Sequence, residues 1–262
     1  MLRRISVVVI ARNEEETIAE TLKSVREQSL RPYVIVVDDG SIDSTGSIAE
    51  ELADYVVKLP HHEESWAGKP ELAKVFNAGF KVASETRPDY VMVSGADTVY
   101  PPNYLEVITK AMEREGVVIA SGVPVGERAK FPRGSGRVID AEWFGKIGFS
   151  YPENWGFEAY VVFKALQMRY KVKTYPVQYK LLRKTGMNPR KAYYWGKAMK
   201  ALGYWPPYAM GRALLWFFHS PRVALSMIRG YMEHNTSVYH DVCHFVREYQ
   251  KKYFLRLLHV PT

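Results

Sequence analysis

The stretch YVIVVDDGSIDST, residues 33–45, decides the fold class. Tyr33–Val37 is an apolar strand candidate, and Asp38-Asp39-Gly40-Ser41 behind it is turn chemistry. Asp43 or Ser44 can then cap a helix running through Ile48 to Leu52. Strand, polar turn and helix in that order make half of a β-α-β unit.

The same order recurs outward in both directions. Ile5–Ile10 is a continuous β-branched run, suited to a strand buried on both faces. Glu15–Gln28 follows it with Ile18, Leu22 and Val25 at helical spacing. On the other side come a short strand at Tyr55–Val57 and a helix at Lys69–Ser84 with Leu72, Phe76 and Phe80 on one face. A fourth strand at Tyr90–Val93, a helix at Pro102–Arg114 with proline in its first turn, and a fifth strand at Val117–Ser121 complete the run. The alternation predicts an α/β domain with an open, mostly parallel sheet and helices on both faces. The pattern weakens from Gly122 to Asn154, where GERAKFPRGSGR (126–137) reads as a mobile loop. Gly156–Met168 resumes helical spacing, Lys171–Leu182 reads as one or two strands, and the rest reads as helices interrupted by Pro189, Pro206-Pro207 and Pro221.

Ligands in such sheets bind at the carboxyl ends of the strands, so the polar residues there are the candidates. They are Ala11-Arg12-Asn13-Glu14, Asp38-Asp39-Gly40-Ser41 and Gly95-Ala96-Asp97, with Trp155-Gly156-Phe157-Glu158 following the weakly patterned region. Each alone reads equally well as a turn or a cap.

Taken in order, they resemble the GT-A glycosyltransferases, family 2 in particular. That family opens with a strand ending near an Asn-Glu pair, here Asn13-Glu14. It continues with a strand ending in Asp-Asp-Gly-Ser, here Asp38 to Ser41, and a Ser-Thr helix start, here Ser44-Thr45. A Gly-Lys before a helix bearing an Asn follows (Gly68-Lys69 and Asn77), then a DxD motif and a later acid. The resemblance covers about residues 4–182. It implies a GT-A catalytic domain over 1–182 and transfer of a sugar from a nucleotide-diphospho sugar with inversion. It implies that Ala11, Arg12 and Glu14 line the nucleoside pocket and that Asp39, with Asp38 nearby, accepts from the base. Lys69 would approach the phosphates, Ala96 would border the donor, Asp97 would contact a Mg²⁺ or Mn²⁺ ion, Trp155 and Gly156 would border the sugar or acceptor, and Glu158 would be the catalytic base. These residue types suit the chemistry, since a departing diphosphate needs cations and an acceptor hydroxyl needs a base.

Two departures stand out. The first acid of DxD is Gly95, which weakens the metal site, and the acid usually found before Glu158 is Phe157. His61-His62-Glu63-Glu64, after the third strand, reads as a solvated loop rather than a replacement ligand set. The segment from Arg183 to Lys191 resembles the Arg…Gly…Lys loop of dolichyl-phosphate mannose synthases. That implies a clamp on the donor diphosphate through Arg183, Arg190 or Lys191, and it alone points to mannose from GDP-mannose.

Charge divides the chain. Residues 1–182 hold 23 Lys/Arg against 25 Asp/Glu, while residues 183–262 hold 13 against 3, with 15 of the 35 aromatics. This C-terminal region, 183–262, therefore reads as a basic, aromatic helical appendage. Its longest uncharged stretches, 201–211 and 213–221, are about half the roughly 20 residues a membrane span needs. Peripheral or monotopic binding to an anionic membrane, on its cytoplasmic side, fits better. Trp205, Tyr208, Trp216, Phe217 and Phe218 would lie at headgroup depth, and Lys197, Lys200, Arg212, Arg222 and Arg229 would face the lipid. Packing on the catalytic domain, or a homo-oligomer interface, is the plainer alternative. The expected acceptor is lipid-linked, a polyisoprenyl phosphate or a lipid-linked glycan. Nucleic acid is disfavoured, because no recognition motif is present and the strand-end acids repel phosphate. A single cysteine, Cys243, excludes a disulfide framework, and Asn235-Thr236-Ser237 matches a glycosylation sequon too short to carry weight. Two rival readings stay open: a nucleotidyltransferase on a related sheet, and a non-catalytic sugar-nucleotide-binding protein.

Overall fold

The computed structural model describes residues 3–183, 186–233 and 237–257, the side chains of 255–257 excepted. Asn235 of the sequon and two residues of the Arg183–Lys191 segment lie outside this set. The chain forms two compact units. The first comprises residues 1–65, 74–151 and 169–184, and the second 66–73, 152–168 and 185–262. One division falls near 184, and two earlier segments also belong to the second unit.

In the first unit the expected alternation is present: β1 (Ile5–Ala11), α1 (Ile18–Arg26), β2 (Tyr33–Asp38), α2 (Thr45–Leu52), β3 (Tyr55–Lys58), α3 (Leu72–Glu85), β4 (Tyr90–Gly95), β5 (Thr98–Val99), α4 (Tyr104–Glu115) and β6 (Val117–Pro124). Then come β7 (Arg137–Asp140), α5 (Ala141–Lys146) and β8 (Lys171–Leu181). The sheet order is β3-β2-β1-β4-β7-β6-β8-β5. Strands β3, β2, β1 and β4 pair in parallel, as do β6 and β8, whereas β7 runs antiparallel to both of its neighbours. The strand β7 and the helix α5 fall where the sequence pattern fades. Four residues of strand and six of helix are too short to establish a period.

Strand alternation divides the apolar residues between two faces. Val7, Val9, Val34, Val36 and Met92 pack with Ile18, Leu22 and Val25 of α1, Ala49 of α2 and Leu105 and Ile108 of α4. On the opposite face α3 approaches so closely that a β-carbon on Gly79 would collide with Val8 and Val37. Phe76, Phe80, Phe144 and Tyr151 form an aromatic cluster beside it, with ring centroids 4.9–6.1 Å apart. Asn77 holds the backbone of Tyr151 at both ends, donating to its carbonyl at 2.9 Å and accepting from its N–H at 2.8 Å.

The strand β8 changes partner along its length. It runs parallel to β6, shifts register around Pro176, where the Val177 carbonyl crowds Gly122, and ends antiparallel to β5 with Thr98 opposite Leu181. A further backbone bond, Leu182 N–H to the Asp97 carbonyl at 2.8 Å, continues that pairing. The last described residue of this unit, Arg183, therefore emerges beside Asp97.

The second unit is helical: α6 (Phe157–Gln167), α7 (Pro189–Ala201), α8 (Pro206–Phe217), α9 (Pro221–Glu233) and α10 (Cys243–Leu257). The prolines expected to interrupt helices instead begin them, since the first turn needs no proline N–H. Ala192, Met199, Ala209, Ala213, Val223, Met227 and Tyr231 form one core, and Phe163, Leu202, Val242 and Val246 another. Phe245 and Tyr249 of α10, with Val242 just before it, face this second core. Helices α7 and α9 cross on two glycines. A β-carbon on Gly196 would meet the backbone of Met227 and Gly230, and one on Gly230 the backbone of Tyr193. Backbone cannot step aside as a side chain can, so Gly196→Ala is expected to cost about 1–3 kcal/mol. Chemical denaturation followed by circular dichroism measures this, and a variant as stable as the parent would contradict the close crossing.

Candidate active site

Parallel register sets the site. Ala11 lies opposite Asp38 and Ile10 opposite Gly95, so β2, β1 and β4 end at one edge and release their turns side by side. The turn after β1 places Asn13 at a positive φ of 52°, which asparagine tolerates better than most residues. Its side chain accepts from Ile42 N–H at 2.9 Å and its own N–H donates to Ser41 at 3.0 Å. Glu14 N–H donates to Thr45 Oγ1 at 2.7 Å, and Asp43 accepts from both Glu15 and Thr45 N–H groups. Of the two expected caps, Asp43 makes the bonds and Ser44 makes no side-chain cap. The first two turns are thereby laced into one surface.

On that surface two clusters form. In the first, Asp39 is buried, with its N–H on the Ala11 carbonyl at 2.8 Å. Arg12 donates to the Asp39 carbonyl at 2.7 Å and to the carbonyl of His62. His62 Nδ1 lies 2.6 Å from the Glu64 carbonyl, which can only accept, so this nitrogen carries a proton. Nε2 then either accepts from Arg12 at 2.7 Å as a neutral ring or, protonated, donates to Asp39 Oδ1 at 3.0 Å. Burial raises Asp39 above its ordinary 3.8; the hydrogen bond and charge of His62 and the charge of Arg12 pull it back only in part, and Asp38 adds to the rise. Asp38 itself faces the start of α2: it accepts from Ser41 N–H at 3.0 Å, and its carboxylate lies 2.7 Å from where a β-carbon on Gly46 would stand.

In the second cluster, Asp97 sits in the tight turn between β4 and β5. Thr21 of α1 pins that turn, donating to the Ala96 carbonyl at 2.8 Å and accepting from Thr98 N–H at 3.1 Å. Behind it lies a hydroxyl network. Ser135 Oγ is 2.8 Å from Thr98 Oγ1 and 3.1 Å from Tyr100 OH, and it accepts from Gly95 N–H at 3.2 Å. Tyr179 OH donates to the Ser135 carbonyl at 3.0 Å. Burial pushes the Tyr100 phenol up to about 12, so it stays a neutral donor. The far end of the segment expected as a mobile loop is therefore tied under Asp97. Arg183 bridges the cluster, its Nε 3.5 Å from Asp97 Oδ2 and its Nη2 paired with Glu14 Oε1. Burial opposes the Arg183 charge, but Glu14 and Asp97 outweigh it and hold the proton more firmly than usual.

Arg12, Glu14, Asp38, Asp39, Ala96, Asp97 and Arg183 thus gather at one sheet edge, with Ala11 buried beneath them. Lys69, Trp155, Gly156 and Glu158 belong to the second unit. There Lys69 sits in the turn before α3, its N–H on the Trp66 carbonyl at 2.8 Å. Gly156 caps α6 at φ 77°, with Glu158 in the helix's first turn. The Trp155 ring has the Tyr194 ring 5.3 Å away and the Lys197 ammonium 5.0 Å away. The stretch His61-His62-Glu63-Glu64, expected as a solvated loop, instead turns His62 onto Arg12 and Asp39. Ser135 was not singled out from sequence, for it sits in a stretch with no pattern. Among the described residues no group of three or more His, Cys, Asp or Glu gathers to hold a metal.

The family model for glycosyl transferase family 2 matches residues 6–172. The chain belongs to this family. Its first unit has the GT-A fold. A 4,4'-diaponeurosporenoate glycosyltransferase of Staphylococcus haemolyticus is 35% identical over 114 residues, 42% of this chain and 29% of that one. An undecaprenyl-phosphate mannosyltransferase of Micrococcus luteus is 30% identical over 132 residues, 49% of this chain and 53% of that one. The chain spans about half or less of the length of these curated relatives. The solved mannosyltransferase of Pyrobaculum calidifontis, in complex with GDP-Man and Mn²⁺, superposes with a TM-score of 0.63 at 17% identity, over 97% of this chain and 83% of that one. At that identity the likeness is one of fold. The family match ends before Arg183 and before α7 to α10.

A Mn²⁺ ion in that neighbour poses the question of a metal here. The residues present do not fit a resident dication. One carboxylate, Asp97, stands where the motif has two, and a guanidinium already faces it.

The raised pKa of Asp39 gives a stability prediction. Above the raised value, the folded protein carries a buried charge that the unfolded chain solvates; below about pH 4 both states are protonated and the cost vanishes. Asp39→Asn, which mimics the protonated acid, is expected to melt higher than the parent at neutral pH, with the gap closing as pH falls below the ordinary 3.8. A lower melting temperature at neutral pH would contradict it.

Proposed function

We propose that the chain moves a sugar from a nucleotide-diphospho sugar to a lipid-linked acceptor at a membrane surface, with inversion. The observation that carries this is a pair of dissimilar acids at the ends of β2 and β4, the two strands that flank β1: buried Asp39 beside Arg12 and His62, and Asp97 beside Arg183. A nucleobase presents N–H donors, which suits Asp39, and a diphosphate presents anionic oxygens, which suits Arg183. Arg12, Glu14 and Ala11 line the nucleoside, Asp38 shapes the turn, and Ala96 and Lys69 complete the donor side. Trp155 and Gly156 border the sugar or the acceptor.

In the reaction, the acceptor oxygen attacks the anomeric carbon from the face opposite the diphosphate. The glycosidic bond to the diphosphate breaks, and a nucleoside diphosphate leaves. With a hydroxyl acceptor, Glu158 takes the proton. A lipid phosphate is already ionised and needs no base, and Glu158 then orients it. GDP-mannose and a polyisoprenyl phosphate are the proposed pair, supported by the Arg183 segment and by the lipid-phosphate mannosyltransferases among the relatives. A nucleotidyltransferase would instead release pyrophosphate from a nucleoside triphosphate.

The cytoplasmic membrane face is the proposed site of action. Among the described residues no helix is long and apolar enough to cross a membrane. Leu214, Leu215, Phe217 and Phe218, at the end of α8, are exposed, with Phe218 at 83%. Trp216, by contrast, packs in the helical core, and Trp205 and Tyr208 contact Phe254 and Tyr253. The proposed lipid contact is therefore the α8 end, flanked by Arg212 and Arg222.

Three measurements test the proposal. A thermal-shift screen of nucleotide sugars is expected to raise the melting temperature for one nucleotide class; no response to any of them would contradict the donor assignment. Glu158→Gln is expected to lower kcat by about 100-fold or more with a hydroxyl acceptor, and full turnover there would remove its role as base. Replacing Leu214, Leu215, Phe217 and Phe218 with Ser is expected to abolish co-sedimentation with anionic vesicles, and unchanged sedimentation would contradict membrane docking through α8.

A further inference from the structure

A guanidinium stands at the one place where a GT-A site of this family is poorest in acid. The antiparallel pairing of β5 with the end of β8, extended by the Leu182 N–H bond to the Asp97 carbonyl, delivers Arg183 to the Asp97 turn through the backbone. A chance side-chain reach would not need that register. Once there, Arg183 lies between two carboxylates, 3.5 Å from Asp97 and paired with Glu14, which Thr17 also holds through Oε2 at 2.9 Å.

The vacancy in acid is equally well defined. A β-carbon on Gly95 would stand 3.1 Å from Asp97 Oδ1, on the same side as that carboxylate, and Gly95 is not among the glycines at positive φ. An acid at 95 would thus start beside the Asp97 carboxylate and bring a second carboxylate next to it, the kind of pair a hard dication prefers. Glycine leaves a single carboxylate with a cation in contact. A guanidinium carries five N–H donors, more than two carboxylate contacts consume, and its charge does not titrate in the ordinary range.

We propose that Arg183 is the fixed cation of the diphosphate subsite. It holds Glu14 and Asp97 in the free protein, meets the donor diphosphate directly, and competes with divalent metal for Asp97, so that nucleotide binds without Mg²⁺ or Mn²⁺. This rests on reading the strand-end edge as a nucleotide-sugar site. The bond-making step is unchanged; what differs is the charge that stabilises the leaving diphosphate, which is built into the chain.

The test is binding, not turnover. GDP and UDP are titrated calorimetrically into the full chain in EDTA and then in Mn²⁺, and Mn²⁺ is titrated into the nucleotide-free protein with free Mn²⁺ read by electron paramagnetic resonance. The wild type is expected to bind one of the nucleotides with affinities in EDTA and Mn²⁺ that agree within about threefold, and Arg183→Gln to lose at least about tenfold in EDTA, or ~1.4 kcal/mol. Gly95→Asp is expected to tighten Mn²⁺ binding to the nucleotide-free protein by about tenfold or more. Arg183→Gln should tighten it in the same direction, so the claim stays testable if the Gly95 variant does not fold. Nucleotide binding by the wild type that vanishes in EDTA would overturn the inference. So would an Arg183→Gln variant that binds nucleotide in EDTA as well as the parent, or a wild type that binds Mn²⁺ as tightly as Gly95→Asp. Absence of nucleotide binding under both conditions would overturn the donor reading itself, and this inference with it.

Discussion

The strand-end acids of the candidate site follow from the register of three parallel strands. β1 is buried on both faces, so a slip of its pairing by one residue would exchange Val7 and Val9 for Val8 and move a whole apolar set to the wrong helices. Held in register, β2, β1 and β4 end together, and their turns project the acids that the interior cannot accept. Burial of β-branched side chains thus fixes the position of Asp39 and Asp97 without either acid contributing to the core.

The two acids then meet opposite treatment. Asp39 is taken out of water, and its partners return only part of what burial costs, so the fold carries a local destabilisation at neutral pH. That is what a site kept for a ligand's donor groups looks like in energetic terms. Asp97 keeps more solvent and gains a permanent cation. Arg183 is about half exposed, so its pairing with Asp97 adds little to stability. Its weight falls on function, because a weak pair is one that a diphosphate can rearrange.

Much of the sheet was legible in the sequence, because long β-branched runs and helical spacing leave a clear period. Asn13, Asp38, Asp39 and Asp97 were legible for a related reason, since polar residues directly after an apolar strand have one edge to occupy. The antiparallel β7 and short α5 were not, because four and six residues carry no period and their partners are distant in sequence. The role of His62 was not, because its neighbours Arg12 and Asp39 come from two other turns. The start of a helix at Pro189, Pro206 and Pro221 was half legible: proline marks a boundary, and only geometry tells which side of it is helical. Trp216 shows the limit of composition, for in an aromatic, basic region nothing but packing separates it from its exposed neighbour Phe217.

The C-terminal region differs in charge. Residues 183–262 carry 13 Lys/Arg against 3 Asp/Glu where residues 1–182 carry 23 against 25, and several of these cations rest on aromatic rings: Lys197 on Tyr193, Lys200 on Tyr231 and Arg212 on Trp195. Such pairs hold long side chains in place at little entropic cost and keep the basic surface defined. The central claim, however, concerns the sheet edge, and a structure of the chain with a bound nucleoside diphosphate tests it most directly. The account predicts the base against Asp39 and the diphosphate against Arg183 beside Asp97. Nucleotide bound instead at the opposite edge of the sheet, in the cavity lined by Arg3, Arg4 and Arg87, would contradict it.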